Sequence, residues 1–138
     1  NFTGEIQRHL NVEREEAEGL KLAISANAQQ VTADIRDQVR QAISIVCENI
    51  ANELHRSIDF YTATTGSSSP ANIFLAGGVA RLDQLRQMLY SRIHIPCEIF
   101  DPFKNINTSD FDEEYLRAIA PPAAVVVGLA LRHQGDHL

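Results

Sequence analysis

The chain has 138 residues, of which 44% are hydrophobic and 22% charged, and its formal net charge is −6. That composition suits one globular domain, or one lobe of a larger one, and excludes a disordered or collagen-like chain. The negative balance repels nucleic-acid backbones and anionic membrane faces, and no run of Lys and Arg offsets it, so nucleic acid is not an expected partner. Direct membrane insertion is not expected either. The longest apolar run, residues 118–131, is too short to span a bilayer, is interrupted by Pro121, Pro122 and Gly128, and reads as a buried helix. Cys47 and Cys97 are far apart and form no CxxC pattern, so they read as two reduced thiols. The sequons at Asn1 and Asn107 read as chance matches in the absence of a secretory signal. The opening at Asn1, inside an amphipathic pattern, reads as a piece of a longer polypeptide.

Phe2, Ile6 and Leu10 recur every four residues and predict a first helix, with Asn11 as its stop. Residues 12–24 form a second helix, with Glu13, Glu15 and Glu16 in the first turn, where acidic side chains favour the helix dipole. A long third helix follows, with Val31, Ile35, Val39, Ala42, Val46, Ile50, Leu54 and Ile58 on its apolar stripe. It is predicted to end near Tyr61, before a Gly-, Ser- and Thr-rich loop over 62–70. Residues 73–76 predict a short strand that Gly77-Gly78 breaks, and Leu82, Leu85, Leu89 and Ile93 mark the next helix. Pro96 stops that helix, and residues 97–100 predict a second strand. The strand–helix–strand unit predicts neighbouring parallel strands joined by a crossover helix. A short helix over 111–119 and a last helix over 123–131, started by the two prolines, complete the reading. His133 to Leu138 reads as a frayed tail.

Two segments suggest ligand chemistry. In the first, an apolar strand delivers Gly77-Gly78-Val79 and a helix begins soon after. Glycines at such a turn let a ligand approach the backbone, and free amides at a helix start suit an anion. The same turn also serves merely to pack a helix on a strand. In the second, Glu18, Lys21 and Ser25 are three and four residues apart, so one helix face offers an acceptor, a cation and a hydroxyl. A solvated face with a minor ion pair has the same spacing. Other groupings carry less. His133 and His137 are four apart with only Asp136 nearby, so a metal site is not expected there, and His9, His55 and His94 are isolated. Asp110, Asp112, Glu113 and Glu114 read as helix N-terminal charge. No GxSxG turn supports a hydrolase triad.

Taken together, Ala17-Glu18-Gly19-Leu20-Lys21 and the strand–Gly-Gly–helix segment resemble the actin-like ATPase superfamily. Within it the chain resembles the PilM family of type IV pilus assembly proteins. The likeness is carried by residues 16–21, Arg56-Ser57-Ile58-Asp59-Phe60-Tyr61, residues 73–82, Ile95-Pro96-Cys97-Glu98-Ile99-Phe100-Asp101-Pro102-Phe103, and the ending from Tyr115 to Arg132. It covers essentially the whole chain, and the order and spacing of its parts are more specific than any one motif.

The resemblance implies an α/β chain, the C-terminal part of an actin-like (ribonuclease H-like) ATPase fold, helix-rich with a short parallel strand pair. Residues 1–138 would be a single fragment of a lobe, with 1–30 part of a helical subdomain and 31–138 the long helix plus a strand–helix–strand adenosine-binding part. It further implies an ATP-binding cytoplasmic scaffold of pilus biogenesis and twitching motility at the inner face of the bacterial inner membrane. The cytoplasmic tail of PilN is the implied partner, and self-association is a further expectation. Gly77, Gly78 and Val79 would lie against the sugar and inner phosphates of ATP or ADP, and Glu18, Lys21 and Ser25 against ribose or base. Val79 stands where many relatives carry a third small residue. The family's phosphate hairpins and Mg²⁺-orienting acid would lie upstream of Asn1, so no catalytic residue is expected in this chain, and the parent would be at most a weak ATPase. A second reading of the same fold is a non-catalytic interaction module, such as a type II secretion platform protein or a cell-division actin homologue. The pairing of Gly77-Gly78 with Glu18 and Lys21 favours the nucleotide-binding reading.

Overall fold

The computed structural model describes residues 1–25 and 31–132, and these fall into two compact units. The first comprises Asn1–Ala71 and Leu82–Ile95, the second Asn72–Arg81 and Pro96–Leu138. The boundary expected at residue 30 falls at the edge of the undescribed stretch, and the tail with His133, Asp136 and His137 lies outside the described residues.

The first unit is helical. Helix α1 (Phe2–Leu10) starts at Asn1, whose side chain accepts from the Gly4 amide, and stops at Asn11, which is left-handed at φ 54°. Asn tolerates that conformation better than most residues, which makes it an effective stop. Helix α2 (Arg14–Ser25) packs back on α1, and helix α3 (Ala33–Thr65) packs on α1 and on α4 (Asp83–Ile93). The core is Phe2, Ile6 and Ala17, the middle of α3 (Val39, Ala42, Ile43, Cys47 and Ala51), and Leu82, Leu85, Leu89 and Ile95. The buried stripe of α3 therefore runs through Ile43, Cys47 and Ala51, while Val46, Ile50, Leu54 and Ile58 of the expected stripe are only half-buried. Two neighbours, α1 and α4, share α3 and turn the single expected stripe into a broader face. Gln84 donates to the Arg40 carbonyl at 3.1 Å, and Arg92 pairs with Glu48 at 2.6 Å. Both bonds fix α4 along α3.

Helix α3 runs past its expected end at Tyr61. The hydroxyls of Thr62, Thr64 and Thr65 bond back to carbonyls three and four residues earlier, which satisfies them within the helix. Gly66, at φ 64°, then closes the helix with its amide on the Thr62 carbonyl.

The second unit holds the sheet. Strands β1 (Ile73–Leu75) and β2 (Cys97–Ile99) are parallel, with Ile73 opposite Cys97 and Leu75 opposite Ile99. Each is three residues long. The Phe74 and Phe100 rings meet edge to face at 6.2 Å, and Asn72 donates to Glu98 at 2.9 Å, which adds side-chain pairing to a short ladder.

The C-terminal region departs from expectation. Residues 111–119 and 123–131 do not form two helices. One helix, α5 (Glu113–Ala130), is capped by Asp112, whose carboxylate accepts from the Tyr115 amide, and runs straight through Pro121 and Pro122. Proline inside a helix removes the bond to the carbonyl four residues earlier and costs about 3 kcal/mol. Here the Arg117 carbonyl, which residue 121 would normally serve, accepts instead from the Arg81 guanidinium. Pro121 itself is fully buried. The expected burial of the last apolar run also fails in part. Val125, Val126 and Leu129 stand exposed, because no described residue of this unit covers the second half of α5.

Candidate functional site

The predicted site residues lie in both units. In the first, α2 brings Glu18 and Lys21 together on one face, and the α1–α2 hairpin adds Thr3. Lys21 Nζ lies 2.5 Å from Glu18 Oε1. Thr3 Oγ1 donates to Glu18 Oε2 at 2.6 Å and accepts from Lys21 Nζ at 3.4 Å. The Lys21 side chain is 14% exposed and that of Glu18 43%. The ammonium is thus tucked in while the carboxylate reaches the surface. The hydrogen bond from Lys21, then the one from Thr3, holds the Glu18 carboxyl below its usual range. The result is a fixed, ionised acceptor with lone pairs still available to a ligand hydroxyl. Ser25 closes α2, and its side chain lies outside the described residues. Sequence spacing found Glu18 and Lys21 but missed Thr3. Its role depends on the left-handed stop at Asn11 folding one helix onto the next, and no periodicity encodes that.

In the second unit, β1 leads through Ala76 into a turn over 77–81. Gly77 has φ 90°, and its amide donates to the Pro121 carbonyl at 2.7 Å. The Ala80 amide closes the turn on the Gly77 carbonyl at 3.2 Å. Ala80 is buried, Val79 half-buried and Gly78 exposed. A Cβ built on Gly77 or Gly78 meets nothing within 4 Å. Two expectations are corrected here. The helix expected just after the glycines, from Arg81, begins at Asp83, so the amides of its first turn are not those of the glycine turn. The Gly77 amide is also not free for an anion, because Pro121 already takes it.

A hollow of about 380 Å³ is lined by Arg81, Phe100, Asp101, Arg117 and Pro121, among others. Two arginines at its rim would suit an anion. However, Arg81 serves the Arg117 carbonyl and Arg117 pairs with Glu113 at 2.6 Å, so neither guanidinium points to a second anion site. Among the described residues no group of three His, Cys, Asp or Glu side chains is placed to hold a metal ion. Among them, too, no helix is long and apolar enough to cross a membrane. His55 pairs with Asp59 at 2.9 Å and His94 is the left-handed cap of α4, which accounts for both without a ligand role.

The family model of the type IV pilus assembly protein PilM matches residues 1–134. The chain belongs to the PilM family. Among solved structures it is similar to a chain of a PilM-PilN type IV pilus biogenesis complex, with 28% identity and a TM-score of 0.73. The match covers 95% of this chain and 35% of that one, so the chain spans 35% of the length of that PilM relative. No curated protein matches the chain. The PilM assignment agrees with the expected architecture, a helix-rich α/β portion of an actin-like fold with one short parallel strand pair. The matched family is that of type IV pilus assembly proteins, not a secretion-platform or cell-division family.

Proposed function

We propose that this PilM-family chain forms the adenosine-facing part of an ATP-binding scaffold in type IV pilus assembly. One observation carries the reading: the space beyond Gly77 and Gly78 is open, with nothing within 4 Å of an added Cβ. Gly78 has no positive φ that would demand glycine, and no described neighbour packs against it. The turn therefore has room for a ligand to approach its backbone, an openness it shares with Gly19, Gly66 and Gly128. In this reading Gly77, Gly78 and Val79 receive the sugar and inner phosphates, and Glu18 accepts from a ribose hydroxyl. Lys21 balances charge, and Ser25 is kept as a further candidate contact on the sequence spacing alone. Because the Gly77 amide is committed to Pro121, the turn offers shape rather than that donor. ATP or ADP with Mg²⁺ would supply the charge and the phosphoryl group. This chain's own part is to bind and orient the nucleoside. Metal and phosphate ligands are assigned to other parts of the natural polypeptide, whose ATPase activity would be weak at most.

The related solved structure is of a PilM–PilN complex. We infer a PilN-type cytoplasmic tail as partner, a place at the cytoplasmic face of the inner membrane, and a role in twitching motility. Self-association fits the exposed apolar side chains of α5. Calorimetry with ATP on the natural polypeptide that carries this chain tests the nucleotide reading. Gly78→Val should weaken binding at least tenfold, because a branched side chain fills the space the sugar needs. Equal affinity in both proteins would reduce the glycine turn to a fold feature and leave an interaction module without nucleotide. Copurification with a PilN tail, and twitching of a strain lacking the protein, test the rest.

A further inference from the structure

The glycine turn is tied to helix α5 at both ends. The Gly77 amide donates to the Pro121 carbonyl at 2.7 Å, and the Arg81 guanidinium donates to the Arg117 carbonyl. Arg117 and Pro121 are one helical turn apart, so their carbonyls lie along one line of α5. Gly77 and Arg81, at the two ends of the turn, bond to successive positions on that line. The Arg117 carbonyl is available because residue 121 is proline. Any other residue there would bring an N–H and take that carbonyl within the helix. The stretch between the two ties holds Gly78 and Val79, the residues with open space or half-exposure.

We propose that α5 sets the position of the glycine turn for its ligand, with Arg81 and Pro121 as positioning residues. This rests on the nucleotide reading of that turn. Left-handed Gly77 has no side chain to fix it, and β1 behind it is only three residues long, so neither anchors the turn firmly. A turn that presents bare backbone to a ligand must be held by hydrogen bonds to something rigid, and α5 provides them. Proline within α5 then has a use that offsets its cost to the helix: it leaves a main-chain acceptor aimed at the turn.

The test uses the natural polypeptide and a double-mutant cycle. Arg81→Met keeps an apolar stem but cannot donate, Arg81→Lys keeps a donor, and Pro121→Ala returns the Arg117 carbonyl to the helix. ATP affinity should fall about tenfold in Arg81→Met and in Pro121→Ala, the size of a lost charge-assisted hydrogen bond, and within threefold in Arg81→Lys. The double variant Arg81→Met with Pro121→Ala should be no weaker than either single one, since both open the same tie. Faster hydrogen exchange at the Gly77 amide in Arg81→Met is the second readout and needs no nucleotide. Multiplicative losses near a hundredfold would mean that Arg81 touches the ligand itself, and the positioning role would be wrong. Unchanged Gly77 exchange in Arg81→Met would also overturn it. If the unmodified protein binds no ATP, the nucleotide reading fails, while the exchange measurement still decides whether the tie exists.

Discussion

Replacing Gly77 and Gly78 separately by alanine distinguishes backbone conformation from packing. An added Cβ meets no neighbour within 4 Å at either site, so steric clash contributes nothing to either cost. What differs is the backbone. Gly77 sits at φ 90°, a region L-residues rarely enter, and Gly78 does not have positive φ. Holding alanine at position 77 costs about 1–3 kcal/mol of strain. The chain can escape by rotating the 76–77 peptide, but the amide then leaves the Pro121 carbonyl, at a cost of about 0.5–1.5 kcal/mol plus whatever reorganises behind it. The cheaper route governs, so Gly77→Ala should destabilise by about 1–2 kcal/mol. Gly78→Ala should change stability by less than about 0.5 kcal/mol, or stabilise slightly by restricting the unfolded chain. Urea unfolding followed by circular dichroism, with midpoints compared at constant slope, measures the difference. Equal losses in the two variants would refute the argument, because space alone cannot separate them.

Glu18 and Cys47 give two further expectations. Lys21→Met should raise the titration midpoint of Glu18, read by carboxyl-carbon NMR, and Thr3→Val should raise it less, because the Lys21 bond is the larger cause of the lowering. The reverse order would contradict the geometry. Because the folded value lies below the ordinary one of 4.5, this pair's small contribution is present above that pH and fades as pH falls through the folded value. Cys47 is fully buried, and burial pushes its thiol up to about 11 from 9.0. At pH 8 it should resist iodoacetamide until the protein unfolds. Stability should decline as pH rises above about 9, where the unfolded thiol ionises and the native one does not. Rapid alkylation in native buffer would place Cys47 outside the core.

Much of the helical unit was legible because helices of that length write their period into the sequence. Phe2 and Ile6 on α1, Val39 and Ala42 on α3, and Leu85 and Leu89 on α4 are apolar at the expected spacing, and all are buried. Asn11 and Gly66 stop α1 and α3 with the left-handed geometry those residue types accept. Gly77-Gly78 and Pro96 likewise delimited two strands whose parallel pairing the crossover required. The failures came where a distant partner overrides a local rule. Two prolines argued for a break near residue 120, yet the helix continues, with the Arg117 carbonyl served by Arg81, 36 positions away. Thr3 was invisible because its bond to Glu18 spans 15 positions and one left-handed residue.

Two backbone features stand out in the second unit, a glycine at φ 90° and the prolines Pro121 and Pro122 inside a helix. Glycine accepts positive φ without steric cost, whereas proline inside a helix lowers stability. They are not independent. The amide of Gly77 bonds to the carbonyl of Pro121, and the Arg117 carbonyl that Pro121 orphans is served from the other end of the same turn. One arrangement thus serves the carbonyl that Pro121 orphans and leaves Gly78 facing open space between the two ties. Hydrogen bonds at both ends hold this turn more firmly than a loop that merely connects. That double tie is a more specific feature of residues 77–81 than the Gly-Gly pair itself, which many strand–helix junctions share.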